Sequence, residues 1–263
     1  RLKEEFDHAV PFRHVVIDGF LEPDFAMEVA DAFPTFEEAL EQGFAFNFVN
    51  ERKKVQISDA GAFPAPVARL NEALAAPGFL ADLEYITGIH GLLADPDLLG
   101  GGMHVTGPHG RLDVHLDFNY SEEHDWHRRL NILVYLNPKW DERWGGEVEL
   151  WDRDVKVCHQ TVAPLLNRCV IFETSDYSFH GVRPLTCPPD RVRKSFAAYY
   201  YTKEPPPGWD GRKFSTIFRA RPDEWLRGWV LAPWERVRRH ARRKARELKR
   251  SIVGGDGRGR HRD

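Results

Sequence analysis

RLDVHLDFNY, residues 111–120, alternates. Leu112, Val114 and Leu116 take one parity, and Asp113, His115 and Asp117 take the other. Period-two alternation of this kind reads as a half-buried strand, with one face on a core. Two carboxylates and an imidazole then share the second face. Solvent would accept them there, and so would a metal ion. The remainder of the chain has to separate the two readings.

Around this stretch the texture is β-rich. From about residue 100 the short runs MHVT, RLDVHLDF, LNILVYL, EVELW, RCVIFE and SFAAYYYT recur, divided by turn signals such as NPKWDERWGG. Upstream, the spacing predicts an amphipathic helix from Pro23, with Phe25, Val29 and Phe33 on one stripe. Two more are predicted over 66–75 and 78–87, the second stopping at Gly88. Helices followed by an antiparallel half predict an α+β, mainly β fold. In it a double-stranded β-helix (jelly roll) is supported by N-terminal helices and trailed by a C-terminal helical tail. The expected division is one domain over 1–235, with its jelly-roll core at about 100–202, and a basic helical tail over 236–263.

The composition narrows the function classes. The chain has 263 residues, 12% aromatic content and no apolar run of transmembrane length. RLKEEFDHAV at the N-terminus has no signal-peptide h-region. Cys158, Cys169 and Cys187 are too few and too scattered for a disulfide framework or a CxxC zinc site, so they read as free thiols in a reducing, cytoplasmic setting. Net charge is −3, unevenly spread. Residues 236–263 hold 12 of the 37 Lys and Arg and 3 of the 40 Asp and Glu, which leaves −12 on the rest. An acidic body argues against a nucleic-acid groove. The basic tail is suited to touching an acidic surface, although a solvated helix explains it equally simply. Oligomeric state is not readable from the chain.

His115 and Asp117, two apart on a strand, point into the same space. A third ligand must come from a distant strand. His180 in SDYSFHGVRPL is the first candidate, with His104, His109 and His159 behind it. Two imidazoles and one carboxylate on one side of a metal leave open positions, the arrangement that suits non-haem Fe(II). Thirteen residues after His180, Arg193 and Ser195 share a strand parity and could clamp a carboxylate by a forked salt bridge plus a hydroxyl. Arg191 is a rival of the same parity.

These motifs, in this order, resemble the Fe(II)/2-oxoglutarate-dependent oxygenases of the prolyl-hydroxylase-like branch over roughly Met103 to Thr202. His115-Leu-Asp117 matches the HxD of the metal triad, and His180 takes the distal-ligand position. LNILVYLNPKW and GGEVELW resemble the strands between, and Arg193-Lys-Ser195 resembles the motif that binds the far carboxylate of 2-oxoglutarate. The opening VVIDGFLEPDFAMEVADAF resembles the N-terminal support of that family.

The resemblance implies a dioxygenase that uses Fe(II), 2-oxoglutarate and O2, gives succinate and CO2, and hydroxylates an unactivated C–H bond of a small metabolite, amino acid or peptide-like substrate. It implies Tyr135 and Val148 as further cosubstrate contacts, and no catalytic residue beyond the metal ligands; alternation alone puts Asn131 on the same face as Leu133 and Tyr135, where it would touch 2-oxoglutarate. Halogenases of this fold lack the carboxylate ligand; Asp117 is present, which favours hydroxylation, while desaturation, epimerisation and ring closure use the same ligands. A protein prolyl hydroxylase is the neighbouring reading. A cupin-like metal-binding module or a zinc hydrolase would not require the arginine clamp. For substrate, the expectation falls on two segments. One is 118–130, read as a long lid-like loop with Asn119, Tyr120, Trp126 and Arg128. The other is 44–54, with Asn47.

Overall fold

The computed structural model describes residues 1–224 except Val49, and the tail over 236–263 lies outside the described residues. In chain order the elements are α1 (Leu2–His8), β1 (His14–Asp18), α2 (Pro23–Ala32), α3 (Phe36–Gln42), β2 (Phe44–Asn47), β3 (Glu51–Ile57), α4 (Ala65–Ala75), α5 (Pro77–Thr87) and β4 (Leu93–Ala94). Then follow β5 (Gly102–Leu116), β6 (Tyr120–Ser121), β7 (Trp126–Tyr135), β8 (Val148–Trp151), β9 (Cys158–Val162), β10 (Arg168–Glu173), β11 (His180–Val182), β12 (Arg193–Thr202) and β13 (Ile217–Arg219).

The strands run β1-β10-β7-β12-β5-β11-β8-β9, every pairing antiparallel, with the β2–β3 hairpin and β13 added along β5. This is the jelly roll with N-terminal helices that the patterning predicts. The three helices read from periodicity are present, and α5 ends at Gly88 in the left-handed conformation. The helices cover one face of the larger sheet. Phe6, Val29, Leu70 and Leu83 pack there with Ile132, Val134, Phe196 and Tyr200 from alternate positions of β7 and β12. The opposite parity of the same strands, with Tyr135, Val148, Val170 and Phe172, faces the interior between the sheets.

β5 is the corner of the fold. MHVT and RLDVHLDF, read as two strands, are one. Its first half, residues 102–106, pairs with β12, and residues 112–115 pair with β11. The switch is made at 107–110, a break opposite β3 in which His109 takes φ 62 and Gly110 lies so close to Thr106 that a Cβ would collide.

The half-buried expectation for this strand is corrected. Val114 and Leu116 pack with Trp151, Val155 and Phe179, while Asp113 and His115 on the other parity are buried as well. Asp113 does not share the face of His115. The register slips between Leu112↔Val182 and His115↔His180, so β5 spends an extra residue there. Leu112, His115 and Asp117 reach the interior cavity, while Asp113 turns to Arg111 and Arg221.

Two other expectations change. Residues 118–130 are not a long loop: β6 pairs with β7 as Tyr120↔His127 and Ser121↔Trp126, which leaves a tight turn. The other change is at the far end, where β13 extends the sheet beyond the expected end of the core near 202.

Candidate metal centre and cosubstrate cavity

β11 lies beside β5 with His180 directly opposite His115, so the imidazoles face each other across two strands, ring centroids 4.3 Å apart. Asp117, one residue beyond β5, closes the group. Its Oδ1 lies 3.5 Å from Nε2 of His115 and its Oδ2 lies 3.4 Å from Nε2 of His180. Among the described residues this is the cluster whose ligand atoms, all within 4.8 Å of one another, could hold a metal ion.

The tautomers suit it. Nδ1 of His115 donates to the carbonyl of Asp113 (3.0 Å) and Nδ1 of His180 to that of Ser178 (3.0 Å). A carbonyl only accepts, so both Nδ1 atoms carry the proton and both Nε2 lone pairs point to the centre. Burial, then the neighbouring His115, lowers the pKa of His180 to about 4. Burial opposes the charge of Asp117, yet Arg128, His180 and His115 hold its carboxyl well below the usual carboxylate range. Two imidazoles turned by Nε2 toward one carboxylate are the donor set of a 2-His-1-carboxylate iron centre.

The centre opens into a cavity of ≈ 190 Å³. From the opposite wall comes Arg193, 4% exposed. Its Nε donates to the Gly146 carbonyl (2.7 Å), its Nη1 to Ser195 Oγ (3.3 Å), and its guanidinium lies 4.9 Å from the Tyr135 ring centroid. Gly146, at φ 78, is needed here, since a Cβ would stand 3.1 Å from Cδ of Arg193. This gives the glycine pair of GGEVELW a physical reason. Arg193 forms no close salt bridge among the described residues, with Glu147 acting on it only at longer range, and the buried Tyr135 hydroxyl has no partner other than the Arg193 side chain. Burial lowers the Arg193 pKa. A buried guanidinium, a hydroxyl and a phenol at one end, with a metal-type cluster in the same cavity, fit an anion such as the far carboxylate of 2-oxoglutarate.

Of the expected residues, His115, Asp117, His180, Arg193, Ser195, Asn131 and Val148 line this one cavity, with Tyr135 packed behind Arg193. Arg191 is exposed beside Asp190 and takes no part. His104 lines the cavity, but its Nε2 is engaged by the Gly100 carbonyl.

Four expectations are corrected. Asn119 is tied to Arg212 and Phe214. Tyr120 lies under the Lys213 ammonium, and Trp126 packs with His124 and Tyr201 outside the cavity. Asn47 accepts from Lys53 N in the turn of the β2–β3 hairpin.

Arg128 does line the cavity, but as a support for the centre. It is stacked 3.6 Å from the Tyr199 ring centroid, and its Nη2 donates to Asp117 Oδ2 (3.1 Å) and to Asn131 Oδ1 (2.8 Å). Asn131 Nδ2 donates to the same Asp117 oxygen (2.6 Å). The expected segment 44–54 does reach the cavity, through Phe46, Glu51 and Lys54 rather than through Asn47, whereas sequence reasoning missed Gln56, although the alternation in KVQI is a strand signal, and Phe218. Phe218 lies 5.4 Å from the His115 ring, delivered by β13.

Comparison with known proteins agrees with this geometry. Residues 101–201 match the sequence model of the 2OG-Fe(II) oxygenase superfamily. A curated relative, the prolyl 3-hydroxylase OGFOD1 of Mus musculus, is 33% identical over 78 residues, which take in 28% of this chain and 14% of the mouse protein. Among solved structures, a prolyl 4-hydroxylase of Phytophthora capsici superposes with a TM-score of 0.56 at 21% identity, covering 90% of this chain and 72% of that one. One from Pseudomonas putida gives 0.52 at 17% identity, over 76% and 98%. Those two likenesses speak to the fold.

Proposed function

From a chain whose residues 101–201 match the 2OG-Fe(II) oxygenase superfamily and carry its jelly roll, we propose an Fe(II)- and 2-oxoglutarate-dependent dioxygenase that hydroxylates an unactivated C–H bond of an amino-acid or peptide-like substrate. The observation that carries the reading is the pairing within one cavity of the His115–Asp117–His180 cluster with the buried Arg193.

His115, Asp117 and His180 would hold the metal, and Arg193 with Ser195 and Tyr135 would hold the far carboxylate of 2-oxoglutarate. The chemistry supplied when both are bound is the oxidative decarboxylation of 2-oxoglutarate by O2: one oxygen atom ends in succinate, CO2 leaves, and the other oxygen converts R–H to R–OH. The protein's own part is positional. Arg128 and Asn131 hold Asp117 by its Oδ2, and the Asp113 and Ser178 carbonyls fix the imidazoles. Phe172 and Val148 help keep the interior apolar.

The curated relative's name supports a prolyl side chain as substrate, in a protein or as a smaller molecule. No helix among the described residues is long and apolar enough to cross a membrane. The three free thiols support a reducing, cytoplasmic setting.

The test is succinate formation by the purified chain. It should require Fe(II), 2-oxoglutarate and O2 together, and His180→Ala and Arg193→Leu should each abolish it. Metal-dependent turnover of an ester without 2-oxoglutarate would instead favour a zinc hydrolase.

A further inference from the structure

The outer half of the cavity is used by neither the metal ligands nor the arginine clamp. Its wall is the β2–β3 hairpin, and its chemistry is an ion pair. Residues three apart on a regular strand point to opposite faces. On β3, however, Lys53 is an extra residue relative to β2, held at φ 48, and it resets the alternation. Glu51 and Lys54 therefore both line the cavity, Oε1 to Nζ 2.9 Å, each side chain 12% exposed. The Lys54 ammonium also lies 5.0 Å from the Phe46 ring centroid, and Phe118 and Tyr199 add aromatic wall. The strand irregularity thus aims one cation and one anion together into the cavity, beside the aromatic rings of Phe46, Phe118 and Tyr199.

We infer that Glu51 and Lys54 read the two charges of a free α-amino acid, with the substrate carboxylate against Lys54 and its ammonium against Glu51. This rests on the oxygenase reading of the same cavity. The complementarity is specific to a zwitterion. Inserted at the pair, it gives four charges of alternating sign, and each protein charge keeps a counter-charge as water leaves. An internal residue of a peptide presents neutral amides at the same place. It would strip water from both protein charges and offer neither a charged partner, an uncompensated desolvation.

The test uses the full chain, anaerobic, with Fe(II) and 2-oxoglutarate, whose joint binding is followed by the charge-transfer absorption of the chelate. L-Proline and a panel of other free L-amino acids are titrated by calorimetry, alongside their N-acetyl and amide forms and a proline-containing peptide. At least one free amino acid should bind, and capping either end should weaken it roughly ten- to a hundredfold, the worth of one charge-assisted hydrogen bond. Glu51→Gln should remove the penalty for N-acetylation while keeping that for amidation, and Lys54→Met should do the reverse. The double variant Glu51→Gln/Lys54→Met, which leaves no lone charge to disturb folding, should lose both preferences. Capped forms or the peptide binding as tightly as the free amino acid would overturn the inference, as would a panel in which nothing free binds while the absorption is present. Absence of that absorption would instead overturn the oxygenase reading and the inference with it.

Discussion

Arg193 is buried and donates only to the Gly146 carbonyl, Ser195 and Tyr135, which under the proposed function leaves its charge to a bound carboxylate. Arg193→Leu should raise the Kd of 2-oxoglutarate by about two to four decades, as expected for losing one side of a buried charge pair worth roughly 3–5 kcal/mol. Arg193→Lys should recover part of this, because an ammonium cannot make the planar fork. Titration of 2-oxoglutarate into the Fe(II) protein measures both, and an unchanged Kd in the Leu variant would remove Arg193 from the clamp.

A second residue-scale expectation concerns acid. Burial and His115 bring His180 from 6.5 to about 4, and burial with Lys54 brings His104 well below 6.5. The unfolded chain takes up these protons near pH 6.5, whereas the folded, metal-free chain refuses them. Stability is therefore full above about 6.5 and falls as pH drops toward 4, by roughly 3 kcal/mol for His180. Urea midpoints of the metal-free protein at pH 7.5 and 4.5 should show the fall, smaller in His180→Leu. A midpoint constant across that range would refute it.

That His115, Asp117, His180 and Arg193 meet in one cavity was legible at this scale because their spacing follows the chemistry they would serve. Asp113 was not, because one extra residue in β5 turns it away, and register is set by a partner strand rather than by neighbours in sequence. Asn131 was placed on the right face by alternation, but its bond to Asp117 depends on where Asp117 sits after the strand ends.

At the scale of elements, the β6–β7 hairpin packs its aromatic side against Tyr201 and Trp209 rather than over the metal centre. Trp126→Ala should therefore lower thermal stability while leaving the KM for substrate and the ratio of succinate to product near wild type. A raised KM with excess succinate would return the hairpin to a lid role.

β13 and the turn after it do more for the site. Arg221, 6% exposed, donates from Nη2 to the carbonyls of Leu112 (3.2 Å) and Val182 (3.0 Å) and from Nε to Glu149 (2.8 Å). It thus bridges β5 and β11, the strands that carry the facing imidazoles, to β8. Arg221→Met should cost up to about 3–5 kcal/mol by leaving the buried Glu149 only the more exposed Arg183, and should loosen Fe(II) binding. Arg221→Met/Glu149→Gln should regain much of the stability but little of the metal affinity. If metal affinity recovers in step with stability, the clamp is structural only. Nothing in Arg-Ala-Arg-Pro at 219–222 signals this role, since the partners lie on three distant strands and a basic surface turn reads the same way.

For the whole molecule, residues as late as Glu224 reach back to the strands that carry the site. Glu224 holds Arg111 through both carboxylate oxygens, and Arg111 in turn holds Asp113. A chain ending at 235 should keep succinate formation close to that of the full chain, whereas one ending at 212 should lose Fe(II) binding; equal behaviour of the two would detach β13 from the centre. The fold class, helices and order of the motifs could be read from periodicity, but the closing strand could not, because three residues pairing with β5 carry too short a pattern. The same wiring governs the birth of the protein. β1 must wait for β10, Phe46 and Lys54 for β5, and the imidazole of His115 for a strand sixty-odd residues downstream and then for β13. Contacts of such long range form late and slowly. On the ribosome the nascent chain holds an HxD without its third ligand until His180 has been made and β11 has paired with β5, so the metal nest is a late product of synthesis.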